Sequence, residues 1–147
     1  MPGHEEFALG AIALHQKPVF NDALLNHVAA PLLKNMIAQK EKELEARNKL
    51  YRHNKPAPNV ENKMVIIVDD GIATGASLRA ALSALKDQHP TKIIIAIPVA
   101  DKSICDDLLK SVDDVVCLFQ PDNLSAVGEW YEDFSQTTDN EVINALK

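Results

Sequence analysis

Between residues 64 and 119 the sequence alternates short apolar runs with amphipathic stretches, and that alternation leaves few architectures open. Met64–Val68 is a continuous apolar run, as expected of a strand buried on both faces of a parallel sheet; Lys92–Ile97 reads as a second buried strand and Val115–Phe119 as a third strand. Between the first two, the stretch after Gly75 places Leu78, Ala81, Leu82 and Leu85 at i, i+3, i+4 and i+7, one face of a helix. Between the second and third, Ser103 reads as the cap of a helix running to about Lys110. A strand–helix–strand–helix–strand order calls for right-handed crossovers and a parallel sheet, so the fold class is α/β.

The flanks are read with the same rules. Phe7–Leu14 and Val19–Phe20 are expected as a strand and a short return strand, with a helical turn or a short helix in Asn21–Ala30. Leu32–Tyr51 has strong helix formers and neither Gly nor Pro. Two i,i+4 pairs, Glu43–Arg47 and Glu45–Lys49, support it. Its second half is polar nearly all round, so it projects into solvent or packs on another subunit. His53–Asn59 carries two prolines and breaks the helix. Thr138-x-x-Glu141 is a capping box that opens a C-terminal helix with Val142, Ile143 and Leu146 on its apolar side. Residues 1–147 are expected to form a single domain.

Composition removes several functions. A net charge of −6 argues against a nucleic-acid binder, which needs a basic surface. Cys105 and Cys117 are too few for a disulfide framework and wrongly spaced for a zinc knuckle. The five histidines form no ligand pair. Ile93–Ala100, the longest apolar run, is far shorter than the roughly 20 residues that span a bilayer. Without a basic, apolar leader, the chain is expected to be soluble and cytoplasmic, with no membrane partner.

The chemistry concentrates in Val65–Ser77. A strand ends in Asp69-Asp70, and a Gly/Thr/Ser loop leads straight into a helix. Ligands of parallel sheets bind outside the carboxyl ends of the strands, where this loop falls. A helix N-terminus presents free N–H groups and positive dipole, which suits a phosphate. Gly75 lets the backbone approach a ligand, and Thr74 and Ser77 add hydroxyl donors. Two adjacent carboxylates repel a phosphate but accept hydrogen bonds from a vicinal diol, or face a Mg²⁺ ion. The bland alternative is a solvated turn with Ser77 as helix cap. There is no Gly-Lys-Ser/Thr ending and no G-x-G-x-x-G, so neither a P-loop nor a dinucleotide fingerprint is present.

This segment resembles the motif by which type I phosphoribosyltransferases bind phosphoribosyl pyrophosphate (PRPP). The resemblance extends to Glu6–Ile12, Tyr51-Arg52, Ala96–Ala100, Val115–Leu118 and Ala126–Thr138, which look like a family of bacterial phosphoribosyltransferases with no settled acceptor. It implies the Rossmann-like fold of that family and a PRPP or 5′-phosphoribosyl ligand. Asp69 and Asp70 would hold the ribose hydroxyls, while Ala73, Thr74, Gly75, Ala76 and Ser77 would cradle the 5′-phosphate. Mg²⁺ would come with PRPP and have no direct protein ligand, unless Asp69 and Asp70 face it. A homodimer is expected too.

Family members usually carry a further N-terminal stretch that supplies a first central strand and a pyrophosphate-contacting loop. The chain therefore reads as N-terminally truncated, with slow transfer chemistry and an exposed strand edge. A non-catalytic PRPP- or nucleotide-sensing protein is the alternative to an enzyme. Ala73 stands where purine-salvage enzymes place an aspartate, so a 6-oxopurine acceptor is not expected. Arg47, Lys49, Arg52 and Lys55 are candidates for a basic lid over departing pyrophosphate, or simply cations at a helix C-terminus. Trp130 and Tyr131, with Phe134, are candidates to line a base pocket or to fasten the C-terminal segment to the core.

Overall fold

A computed structural model of the chain describes residues 9–13, 18–20, 28–53, 55–56 and 58–147. The expected alternation is present. Strand β3 (Met64–Val68), helix α2 (Ala76–Lys86), strand β4 (Lys92–Val99), helix α3 (Lys102–Leu108) and strand β5 (Asp114–Phe119) follow one another. The three strands form a parallel sheet in the order β3-β4-β5, with Ile66 beside Ile94 and Ala96 beside Val116. The fold class is α/β.

Before this unit, β1 (Gly10–Ala11) pairs antiparallel with β2 (Val19–Phe20), Gly10 opposite Phe20. The remainder of the expected Phe7–Leu14 strand is either irregular or outside the described residues, as is most of the turn expected in Asn21–Ala30. Helix α1 spans Ala30–Arg52, slightly longer at both ends than expected. Pro31 serves its first turn, where a missing N–H costs nothing, and His53 ends it in a left-handed conformation at φ 51°. The helix has no buried residue and packs on α4 (Asp139–Ala145). Glu43 pairs with Lys40 at 2.6 Å, not with Arg47 as its spacing suggested.

The core lies on one side of the sheet. Ile93, Ile95 and Ile97 of β4 meet Leu78 and Leu82 of α2 and Cys105 and Leu108 of α3. Three expectations need correction. The strand Met64–Val68 is not buried on both faces: Met64, Ile66 and Val68 are exposed, as are Val116 and Leu118 of β5. Among the described residues both helices of the unit pack on the opposite face, and β3 is an edge strand, so alternate side chains meet water. In α2 it is Ala80, not Ala81, that is buried beside Leu78 and Leu82, because this helix also packs on β1 and β2. Helix α3 is capped by Asp101, not Ser103. The Asp101 carboxylate accepts from the Ser103 N–H at 2.8 Å and its hydroxyl at 2.6 Å, and the helix stops at Leu108.

The C-terminal capping box is formed as read. The Thr138 N–H donates to Glu141 at 2.7 Å, and the Glu141 N–H donates back to the Thr138 hydroxyl at 3.4 Å. Val142 and Ile143 are half-buried, but Leu146 lies in solvent. No helix among the described residues is long and apolar enough to cross a membrane.

Candidate functional site

The candidate site lies where the carboxyl ends of the three strands meet. After β3 the chain turns through Asp69-Asp70-Gly71, and Ile72 closes the turn by inserting into the core. The Ile72 N–H donates to Val99 O at 3.1 Å, and Ile72 forms a parallel bridge with Ala100. The Ala100 N–H donates in turn to Phe119 O at 3.2 Å. One line of backbone bonds thus joins the ends of β3, β4 and β5, and the acidic pair stands on it.

Both aspartates reach solvent. The Asp69 carboxylate accepts from the Asp70 N–H at 3.1 Å. Partial burial pushes the Asp69 carboxyl above its ordinary range, and the Asp70 charge beside it adds to that shift. No basic side chain within salt-bridge distance answers the pair among the described residues. Two such carboxylates await hydrogen-bond donors or a cation. Among the described residues no three His, Cys, Asp or Glu side chains gather to hold a metal. A divalent ion here fits only when a ligand supplies most of its oxygens.

The loop then delivers its backbone. Gly75 is buried and takes φ 74°, a left-handed conformation that would strain any residue with a side chain. It is the N-cap of α2, and no side chain caps the helix. The first intrahelical bond runs from Arg79 N–H to Gly75 O at 2.9 Å. The N–H groups of the first turn therefore keep their capacity to bind an anion. Thr74 and Ser77 are exposed beside them. Ser77 is the second residue of the helix and not its cap.

The other candidates are placed less uniformly. Arg47, Lys49 and Arg52 belong to α1, and only Lys55 lies in the loop that follows. The Arg52 guanidinium donates to Pro56 O at 2.7 Å, fastening that loop to the helix end. The Trp130 ring lies 5.8 Å from Phe119 at the carboxyl end of β5, and both rings are about half exposed. Tyr131 points elsewhere, its hydroxyl donating to Asp70 O at 2.5 Å and its ring lying 5.1 Å from Phe134. Phe119 and Val127 adjoin the site although the sequence marks them only as a strand end and as part of the family-like C-terminal stretch. Val127 opens a short 3-10 helix after β5 and fills the space beside Gly71 that a Cβ would occupy. Only the pairing of a bare glycine with a distant valine could have signalled it.

An open depression of about 490 Å³ lies at the opposite end of the sheet, between Lys86, His89, Ile93, Lys110 and Asp113. Lys86 closes the last turn of α2 and Lys110 follows the end of α3, where helix dipoles favour cations without any ligand. No residue of the acidic loop lines it.

Comparison with known proteins fits this geometry. The family model described as the phosphoribosyl transferase domain matches residues 19–133. Two curated Mycobacterium tuberculosis proteins, from two strains, carry provisional phosphoribosyl transferase names and are 32% identical over 99% of this chain. The chain spans about a third (33%) of the length of those relatives. A crystal structure of the Thermus thermophilus protein TT1426 aligns with a TM-score of 0.72 and 35% identity, covering 96% of this chain and 67% of that one.

Proposed function

The chain belongs to the type I phosphoribosyltransferase family, and from that premise we propose that Val65–Ser77 binds PRPP or a 5′-phosphoribosyl product. Asp69 and Asp70 accept from the ribose 2′- and 3′-hydroxyls. Ala73, Thr74, Gly75, Ala76 and Ser77 surround the 5′-phosphate with backbone N–H groups and two hydroxyls. One observation carries this reading: an unanswered acidic pair stands one short loop before an uncapped helix N-terminus opened by a left-handed glycine. A phosphorylated sugar offers a partner to each half.

In the proposed reaction an acceptor's lone pair forms a bond to the ribose C1 while the C1–O bond to pyrophosphate breaks, and pyrophosphate leaves with the electron pair. Mg²⁺ bound to PRPP would neutralise the charge on the leaving group. The chain's own contribution is to hold the sugar and phosphate while that charge develops. Arg47, Lys49, Arg52 and Lys55 are proposed as the basic edge nearest the departing pyrophosphate. Trp130, paired with Phe119, is the proposed wall for a planar acceptor. A cytoplasmic homodimer built from this single domain belongs to the same proposal, and its support is the exposed apolar face of β3 and β5.

Calorimetry with PRPP, AMP and ribose 5-phosphate, with and without Mg²⁺, tests the binding. Saturable heat is expected for at least one of them, and its absence at millimolar concentration would remove the reading. Asp70→Asn should weaken binding by roughly 1.5–3 kcal/mol, the range for a charge-assisted bond. Thr74→Ala should cost about 1 kcal/mol, since the backbone donors remain. Pyrophosphate release measured across purine, pyrimidine and amine acceptors separates transfer from sensing. Binding without release is the outcome expected of a sensor.

A further inference from the structure

The acidic pair is held from three directions, and one of them comes from far along the chain. The Asp70 N–H is taken by the Asp69 carboxylate, and two residues on, the Ile72 N–H is taken by Val99. Between them, the Asp70 carbonyl accepts from the hydroxyl of Tyr131, 61 residues away, at 2.5 Å. Both polar groups of the Asp70 backbone are therefore engaged, which fixes the dihedrals that aim its side chain.

Tyr131 is itself seated by its neighbours. It follows a short 3-10 helix, Val127–Trp130, whose first residue is buried against Gly71. A Cβ on Gly71 would lie 2.6 Å from the Val127 side chain, so loop and 3-10 helix pack with no room for a side chain at Gly71. On the other side the Phe134 ring packs on Tyr131, and Gly128 leaves the room for it. Burial raises the phenol's pKa above its ordinary value, and the charges of Asp70 and Asp69 raise it further, so the donor proton stays in place.

We propose that Tyr131 is a positioning residue for ribose recognition. It touches no ligand atom. Its hydroxyl locks the Asp70 peptide so that the two carboxylates present a fixed pair of acceptors to a vicinal diol. This rests on the reading of Asp69 and Asp70 as the diol-binding pair, and it gives the C-terminal segment a share in sugar selectivity apart from any base contact.

The test compares AMP with 2′,3′-dideoxy-AMP, which keeps the phosphate and base but lacks the diol. Affinities are measured by calorimetry on the wild-type chain and on Tyr131→Phe, with circular dichroism to verify folding. The wild type should prefer AMP. Tyr131→Phe should lose roughly three- to tenfold of that preference, the equivalent of one neutral hydrogen bond, while its affinity for dideoxy-AMP stays unchanged. Equal weakening of both ligands, or no change in either, overturns the role of Tyr131 and leaves the diol reading intact. A wild type that does not distinguish the two ligands overturns the diol reading itself, and this proposal with it. If Tyr131→Phe does not fold, Phe134→Leu frees the ring but keeps the hydroxyl and should reduce the same preference. An unchanged preference in that variant counts against the proposal.

Discussion

Asp69 has an ordinary side chain in an unfavourable place. Its carboxyl is pushed upward by burial and by the neighbouring Asp70 charge, so folding favours its neutral form. A carboxyl raised on folding contributes its stability below the unfolded value of 3.8, and that contribution is lost as pH rises through the folded value. At neutral pH the ionised Asp69 therefore destabilises the free protein. Asp69→Asn should raise the thermal midpoint of the unliganded chain while weakening phosphoribosyl ligands. A variant that lost both stability and affinity would show that the carboxylate is structural. Cys105 follows the same sign at higher pH. Its thiol is pushed from 9.0 up to about 11, chiefly by burial, with a further contribution from Cys117. Its contribution to stability is complete below pH 9 and is lost between pH 9 and about 11. Urea titrations of wild type and Cys105→Ala should converge across that window. A constant gap between them would mean that the thiol does not ionise on unfolding.

At the scale of elements, the loop depends on two glycines for different reasons. Gly71→Ala would drive a methyl group into Val127 and Val99. Overpacking of this kind costs roughly 1–3 kcal/mol, read as a lower urea midpoint. Gly75→Ala meets no close atom but must keep a left-handed φ, which costs about 1–2 kcal/mol. If Gly71→Ala were neutral, the 3-10 helix would not be packed as described. How far the elements could be read depended on what each signal reports. Strand identity was legible because β-branched runs between helices have few other uses. The exposure of Met64, Ile66 and Val68 was not, since an apolar run looks the same whether one or both faces are covered. Asp101 and Ser103 are both good caps, and only the backbone turn decides between them. The acidic pair and the glycine-led helix start were fully legible, being contiguous. The Tyr131 bond was not, because 61 residues separate its partners and neither changes type to announce it.

For the molecule as a whole, the sheet has one covered face and, among the described residues, one open one. Val68 at 75% and Leu118 at 71% exposure stand on the open face, with Met64, Ile66 and Val116 around them. Contiguous apolar surface of this kind drives association. If two copies cover it, sedimentation velocity should show a concentration-dependent dimer, and Leu118→Lys should shift the chain to monomer. Being so exposed, that substitution should change folding stability by no more than about 0.5 kcal/mol. A chain that is monomeric at every concentration would rule out the proposed dimer.

The bond between Tyr131 and Asp70 also fixes an order of events during synthesis. The acidic loop leaves the ribosome 61 residues ahead of the tyrosine that braces it. At ordinary elongation rates of about 5–20 residues per second, the nascent loop spends roughly 3–12 seconds without that clamp. Its strand and helix can already be in place during that interval. On the proposed reading the acidic pair is fully braced only when residues 127–134 fold back, so a segment translated later sets when the loop can take up its sugar.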